Sequence, residues 1–201
     1  MSRVLSQRLQ AFPMMHELHS KSYRITVGAN LTATDLRVNF KFEAAHPKEM
    51  AKVILPAPQS NPSRKPDLWK STCFECFIPS QKSESYLEFN GSPSGDWNWY
   101  SFKKYREGQQ EFKLNEESKP KQSVLTKSDT QIESEWVLPL IGIRQGFQSI
   151  GENHHDVTFI GMTMVVSTTI ATLYWALKHD GVKPDFHLRS SFNYPIFTEL
   201  K

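Results

Sequence analysis

Short runs of alternating apolar and polar residues recur along this chain, turn-prone residues separate them, and helical periodicity is weak nearly everywhere. Residues 68–108 are the densest example. They read LWKSTCFECFIPSQKSESYLEFNGSPSGDWNWYSFKKYREG and hold three strand-like runs, over 72–78, 86–90 and 97–102. Gly91-Ser-Pro-Ser-Gly95 supplies a turn between the last two. Upstream, 23–27 and 36–42 alternate around Gly28, Asn30 and Asp35 and read as a hairpin. Downstream, strands are expected over 124–132, 135–140, 157–167 and 173–177, with 157–167 (VTFIGMTMVVS) the most apolar. A short helix is expected at 47–52 or near Ile141. The stretch 107–130 is polar and rich in Lys and Glu, as an exposed hairpin or excursion would be. Eight to ten short strands with regular turn signals indicate an all-β fold, an antiparallel sandwich of jelly-roll type.

At 201 residues the chain fits one domain, residues 1–201. Its aromatic residues, 13 Phe, 6 Tyr and 5 Trp, suit pleated faces on which flat rings pack. The formal net charge is +3, with Lys and Arg interspersed among Asp and Glu. No basic stripe points to nucleic acid. No run approaches the ~18 apolar residues of a membrane span. The leading stretch MSRVLSQRLQAFPMM lacks the apolar core of ~7–15 residues that an export signal needs. A cytoplasmic location is therefore expected.

The two cysteines, Cys73 and Cys76, sit three apart in a strand-like surround. In a strand they point to opposite faces, which disfavours a disulfide between them. A redox pair would want a helix N-terminus, and a zinc site would want two more ligands. Two small buried hydrophobes remain the simpler expectation.

Polar residues inside strands are the candidate binding groups, because an unpaired carboxylate or amide is costly to bury. Glu75 shares a face with Cys73 and Phe77, and Glu88 and Asn90 share one with Tyr86. A concave face so lined presents acceptors to hydroxyl groups. The alternative is a solvated outer face, or a structural pair with Lys103 or Arg106. Two carboxylates also raise glycoside hydrolysis, whose acid and base must stand at a fixed separation that sequence does not establish. In Pro184-Asp-Phe-His, Asp185 and His187 share a face. They would orient a ligand or lock their own loop. His154-His155-Asp156 reads as a polar turn, with no third ligand at a useful spacing for a metal.

Three segments carry a resemblance: LWKSTCFECFI (68–78), YLEFNGSPSGDWNWYSF (86–102), and YWALKH with PDFH (174–179 and 184–187). The Trp-x-x-x-x-Phe-Glu pattern, then a strand ending in Phe-Asn, then a Ser-Pro-x-Gly turn, resembles the DOMON-like superfamily. More narrowly, it is similar to bacterial DOMON-like proteins related to family 9 carbohydrate-binding modules. Together the segments cover less than a third of the chain. The resemblance implies a β-sandwich binding module without catalysis, in a superfamily whose members bind sugars or haem; a saccharide is the expected ligand, and a haem-binding electron-transfer module is the alternative. Such modules clamp a terminal sugar between two aromatic rings. Trp69 matches one clamp position by motif and Trp175 is the candidate for the other, with a core ring the alternative for each. The expected ligand-binding set is Trp69, Glu75, Asn90, Trp175, Asp185 and His187. Haem is the superfamily's other ligand and would need axial groups across a pocket. Met162, Met164, His179 and His187 are the nearest candidates, and a Met at alternate strand positions also fits core packing. Structural calcium would draw on Asp67, Asp96 and Asp156, though no loop concentrates ~6–8 oxygens. No cofactor is assigned. A protein-interaction domain without a small-molecule ligand is the remaining alternative.

Overall fold

The computed structural model describes residues 6–13, 21–153 and 156–196. The His154-His155 pair and parts of the leading stretch lie outside them. In chain order the elements begin with β1 (Ser6–Arg8), β2 (Gln10–Ala11), β3 (Tyr23–Leu31), β4 (Asp35–Ala44) and helix α1 (Pro47–Met50). The motif region supplies β5 (Cys73–Pro79), β6 (Tyr86–Gly91) and β7 (Trp97–Phe102), followed by β8 (Gln110–Glu111). The rest comprises β9 (Lys121–Lys127), β10 (Gln131–Pro139), helix α2 (Leu140–Ser149), β11 (Phe159–Ser167), β12 (Thr172–Ala176) and β13 (Tyr194–Pro195). Two antiparallel sheets result. One runs β1-β3-β4-β10-β9, and the other β2-β12-β11-β5-β6-β7-β8 with β13 against β11. The chain is therefore an all-β sandwich. Among the described residues no helix is long and apolar enough to cross a membrane.

The first sheet shows the simple logic of a half-buried sheet. Buried and partly exposed residues alternate without a break along Asp35–Ala44, so Leu36, Val38, Phe40 and Phe42 face the core while Arg37, Asn39, Lys41 and Glu43 face outward. Strand β10 repeats the pattern with Ile132, Ser134, Trp136 and Leu138 inward. The opposing sheet contributes Phe74, Cys76, Ile78, Leu87, Phe89, Trp99, Met162, Met164, Leu173 and Trp175 to the same core.

The second sheet breaks that logic, and the break makes the site. Every residue of β5, β6 and β7 is buried, on both faces. An antiparallel strand buried on both faces must be covered on both. The outer cover here is the segment 177–192, the 3-10 turn Leu68–Lys70 and the turn that carries Tyr105 and Arg106. A second apolar cluster forms beneath it from Cys73, Phe77, Tyr86, Tyr100, Phe102, Val165, Ala176, Phe186 and Phe192.

Two expectations need correction. The strand expected over 124–132 is two strands, because Ser128 donates its backbone N–H to the carbonyl of Gln131 and turns the chain. The stretch 107–130 is also more than an excursion. It contains β8, a 3-10 turn (Glu116–Ser118) and β9, an exposed edge strand that begins at Lys121, ahead of the expected strand, and forms a hairpin with β10. Helices form at both expected places, and Cys73 and Cys76 are free, buried and on opposite faces.

Candidate functional site

Strand register builds the floor of the site. Thr163 pairs with Glu75, Glu75 with Asn90, and Asn90 with Asn98. These four side chains form a polar row across β11, β5, β6 and β7 on the outer face of the second sheet. In the next row Phe77 pairs with Glu88 and Glu88 with Tyr100. Glu75 and Glu88 are thus diagonal neighbours across two strands, 2% and 5% exposed.

A cavity of about 280 Å³ opens over this floor. Glu75, Glu88, Phe102 and Val165 line it from the sheet, and Tyr174 from β12. Trp69 enters from the 3-10 turn, its half-buried ring edge-on to Tyr100 at 5.7 Å between centroids. The cover adds Arg106, Gln109, Pro184, Phe186 and His187.

Neutral donors hold the two carboxyls. The Thr163 hydroxyl donates to Glu75 Oε2 at 2.8 Å, and the Asn90 amide donates to Glu88 Oε1 at 2.7 Å. Burial raises both carboxyls above the ordinary carboxylate range. The charge of Glu88 raises Glu75 further, while the Thr163 hydroxyl, the Asn90 amide and Arg106 pull the pair the other way. Like charges this close share protons and titrate as a unit.

His187 sits over Glu88. Its Nδ1 lies 2.7 Å from the Tyr86 hydroxyl, and its Nε2 lies 3.9 Å from Glu88 Oε2. The Tyr86 oxygen accepts the Arg106 backbone N–H at 3.1 Å, so its own proton is free to point at Nδ1. Nδ1 is then the acceptor, and the network assigns the ring proton to Nε2, toward Glu88. Burial, with Arg106 nearby, pushes His187 down to about 4, so the ring is neutral at physiological pH.

Asp185 is the lock of the cover. It accepts from Arg106 Nη2 at 2.9 Å, from the His187 backbone N–H at 3.0 Å and from the Tyr105 hydroxyl. Burial alone would raise this carboxyl, but those hydrogen bonds and the guanidinium hold it below the usual range. Arg106 and Asp185 join two segments 79 residues apart.

The six residues expected from the sequence therefore divide. Trp69, Glu75 and His187 line the cavity together. Asn90, fully buried, lies beneath it and aims Glu88, while Cys73 Sγ approaches its carbonyl oxygen at 3.7 Å. Asp185 shapes the cover without being part of the lining. Trp175 is the correction. It pairs with Met164, faces the core at 2% exposure, and its ring is on the opposite side of the sheet from the cavity. The aromatic residue of β12 that does line the cavity is its neighbour Tyr174, paired with Val165. Alternation around Trp175 carried that signal, but the phase is fixed only once the register against β11 is known. Glu88, Arg106, Tyr174 and Phe186 were not in the expected set.

Met162 and Met164 are fully buried in the core, across the sheet from His187, so they do not face it over a common cavity. Asp96 is held by Lys65 at 2.8 Å, by the Ser63 amide and by the Ser94 hydroxyl, and Asp67 by Lys70 at 2.6 Å. Among the described residues no three His, Cys, Asp or Glu side chains converge as a metal site.

No protein-family model matches the chain, and no curated protein matches it. Among solved structures it is similar to a "putative carbohydrate-binding protein" from Bacteroides uniformis, at 13% identity and a TM-score of 0.61. The likeness covers 96% of this chain and 87% of that chain. At that identity the shared property is the fold.

Proposed function

We propose that this protein is a non-catalytic saccharide-binding module and that the cavity under Trp69 is its binding site. The observation that carries this reading is one half-buried indole that shares a preformed concavity with two buried carboxyls. Sugars have apolar C–H faces and polar rims, and a pocket that offers an aromatic surface beside oriented acceptors is complementary to both. In this reading Trp69 and Tyr174 take the faces of the ring. Glu75 and Glu88 take hydroxyl groups, Asn90 positions Glu88, and Asp185 and His187 hold the cover in place. The fold shared with the Bacteroides uniformis protein supports the reading, as do the motifs that resemble DOMON-like proteins and family 9 carbohydrate-binding modules.

The test is isothermal calorimetry and thermal shift against monosaccharides and disaccharides. Ligand at ~100 times its dissociation constant should add about 2.7 kcal/mol of stability. Trp69→Ala should abolish that gain. A Trp69→Ala variant that binds the same sugar with unchanged affinity would refute the assignment of the site.

A further inference from the structure

Glu75 and Glu88 lack something that buried carboxylates normally have, namely a cation of their own. Their hydrogen bonds come from a hydroxyl and an amide, both neutral. The facing imidazole is neutral and stands 3.9 Å from Glu88. Arg106, which also lines the cavity and favours an ionised Glu88, gives its guanidinium to Asp185 at 2.9 Å, and among the described residues it donates no hydrogen bond to either glutamate. Two oxygens, Oε1 of Glu75 and Oε2 of Glu88, accept no hydrogen bond from another described residue. Both belong to carboxyls that line the cavity. A neutral sugar would bring hydroxyl donors to these oxygens but no charge. A primary ammonium brings three donors in a tetrahedral fan and a full positive charge, and it can bridge both carboxylates. The rings of Trp69 and Tyr174 favour a cation at their faces as well.

Resting on the saccharide reading above and narrowing its ligand class, we infer that the cavity selects an amino sugar with a free, protonated amine, the ammonium bridging Glu75 and Glu88. Binding has a proton signature. Burial holds a proton on the carboxyl pair in the empty cavity, and a bound ammonium favours the ionised pair. The displaced proton passes to solvent on binding.

The experiment is calorimetry of the full chain at neutral pH against three matched sets. These are glucosamine, galactosamine and short glucosamine oligomers, their neutral hexose counterparts, and their N-acetylated forms. Each titration is run in two buffers of different ionisation enthalpy, which counts the protons released. The expected result is that the free-amine forms bind about tenfold or more tightly than the others, the worth of a close charge pair in a desolvated site. Proton release should accompany the free-amine forms alone. In Glu75→Gln and Glu88→Gln the preference for the amine should collapse toward unity. If either variant fails to fold, the affinity ratio of amine to hydroxyl forms on the unaltered protein still decides the matter. Equal affinity for amine and hydroxyl forms, or a preference for the N-acetylated forms, overturns the inference and leaves the saccharide reading standing. Silence across all three sets overturns both.

Discussion

Gly91→Ala tests how closely the two sheets meet beneath the site. Gly91 ends β6, one residue beyond Asn90. A methyl group built there would lie 2.5 Å from Cε2 and 2.7 Å from Cζ2 of Trp136, and 2.9 Å from Cζ of Phe89. Carbon atoms in contact prefer about 3.5–4.0 Å, so the neighbours must retreat by about 1 Å. They have nowhere to go, because Trp136 and Phe89 are fully buried and pack against each other at 5.1 Å. Overpacking of this kind costs about 1–3 kcal/mol, and the two aromatic obstacles place this case in the upper part of that range. The reduced backbone entropy of alanine in the unfolded chain returns only ~0.4–1 kcal/mol. A net loss of about 2 kcal/mol is expected, or roughly 4–8 °C of melting temperature for a chain of this size. Urea unfolding followed by tryptophan fluorescence measures it. Trp136→Phe removes the outer ring that the methyl strikes, and it forfeits no hydrogen bond because the Trp136 indole N–H has no partner among the described residues. The double variant should therefore be more stable than the sum of the two single losses by about 1 kcal/mol or more. A Gly91→Ala variant within ~0.5 kcal/mol of the parent, the scatter of harmless surface changes, would show that the sheets do not meet as described.

Trp175→Ala should cost ~3–5 kcal/mol in urea unfolding, as a fully buried ring does, whereas Trp69→Ala should cost well under that while removing ligand binding. The carboxyl pair makes a pH-dependent contribution whose sign is fixed by its upward shift. Below the ordinary carboxyl range both states are protonated and the contribution is fully present. It is lost as pH rises through the raised values of the folded protein. The doubly substituted Glu75→Gln, Glu88→Gln protein should thus gain stability relative to the parent as pH rises from about 4.5 to 8, measured by urea midpoints, and a gap that is flat with pH would refute it. Cys73 and Cys76 are fully buried and burial raises both thiols, so a thiol reagent at pH 8 should label neither until denaturant is added. Labelling of the folded protein would contradict this.

The parts of the fold legible in the sequence are those that local chemistry decides. The run from Leu36 to Phe42 alternates because one face of β4 meets the core and the other meets solvent, and Ser92-Pro-Ser-Gly95 can only turn. Gly95 does so with a φ of +88°, and Ser92 closes the turn by donating to the Asp96 carbonyl at 2.8 Å. The edge strand β9 was less legible, since its burial pattern follows neither a strict period of two nor a continuous apolar run. Its place depends on β10 being there to receive it. Glu75, Glu88 and Asn90 stood out because polar residues at alternate positions of apolar strands demand an explanation.

Which explanation applies is a long-range matter. The same alternation describes a solvated face and a covered pocket, and the difference lies in whether another segment descends on it. Here the covering segment is fastened by Arg106 to Asp185 and by His187 to Tyr86, pairs 79 and 101 residues apart. No local signal marks such pairs. The choice between Tyr174 and Trp175 fails in the sequence for the same reason. Both rings occupy β12, and only the pairing of Trp175 with Met164 and of Tyr174 with Val165 decides which one meets the core. Trp69, the expected ring that does line the cavity, lies outside the strands in a 3-10 turn, where no period of two had to be phased. A residue held by a turn over a sheet needs no strand register to reach the outer face. Residues within strands acquire their roles only from the register of their neighbours.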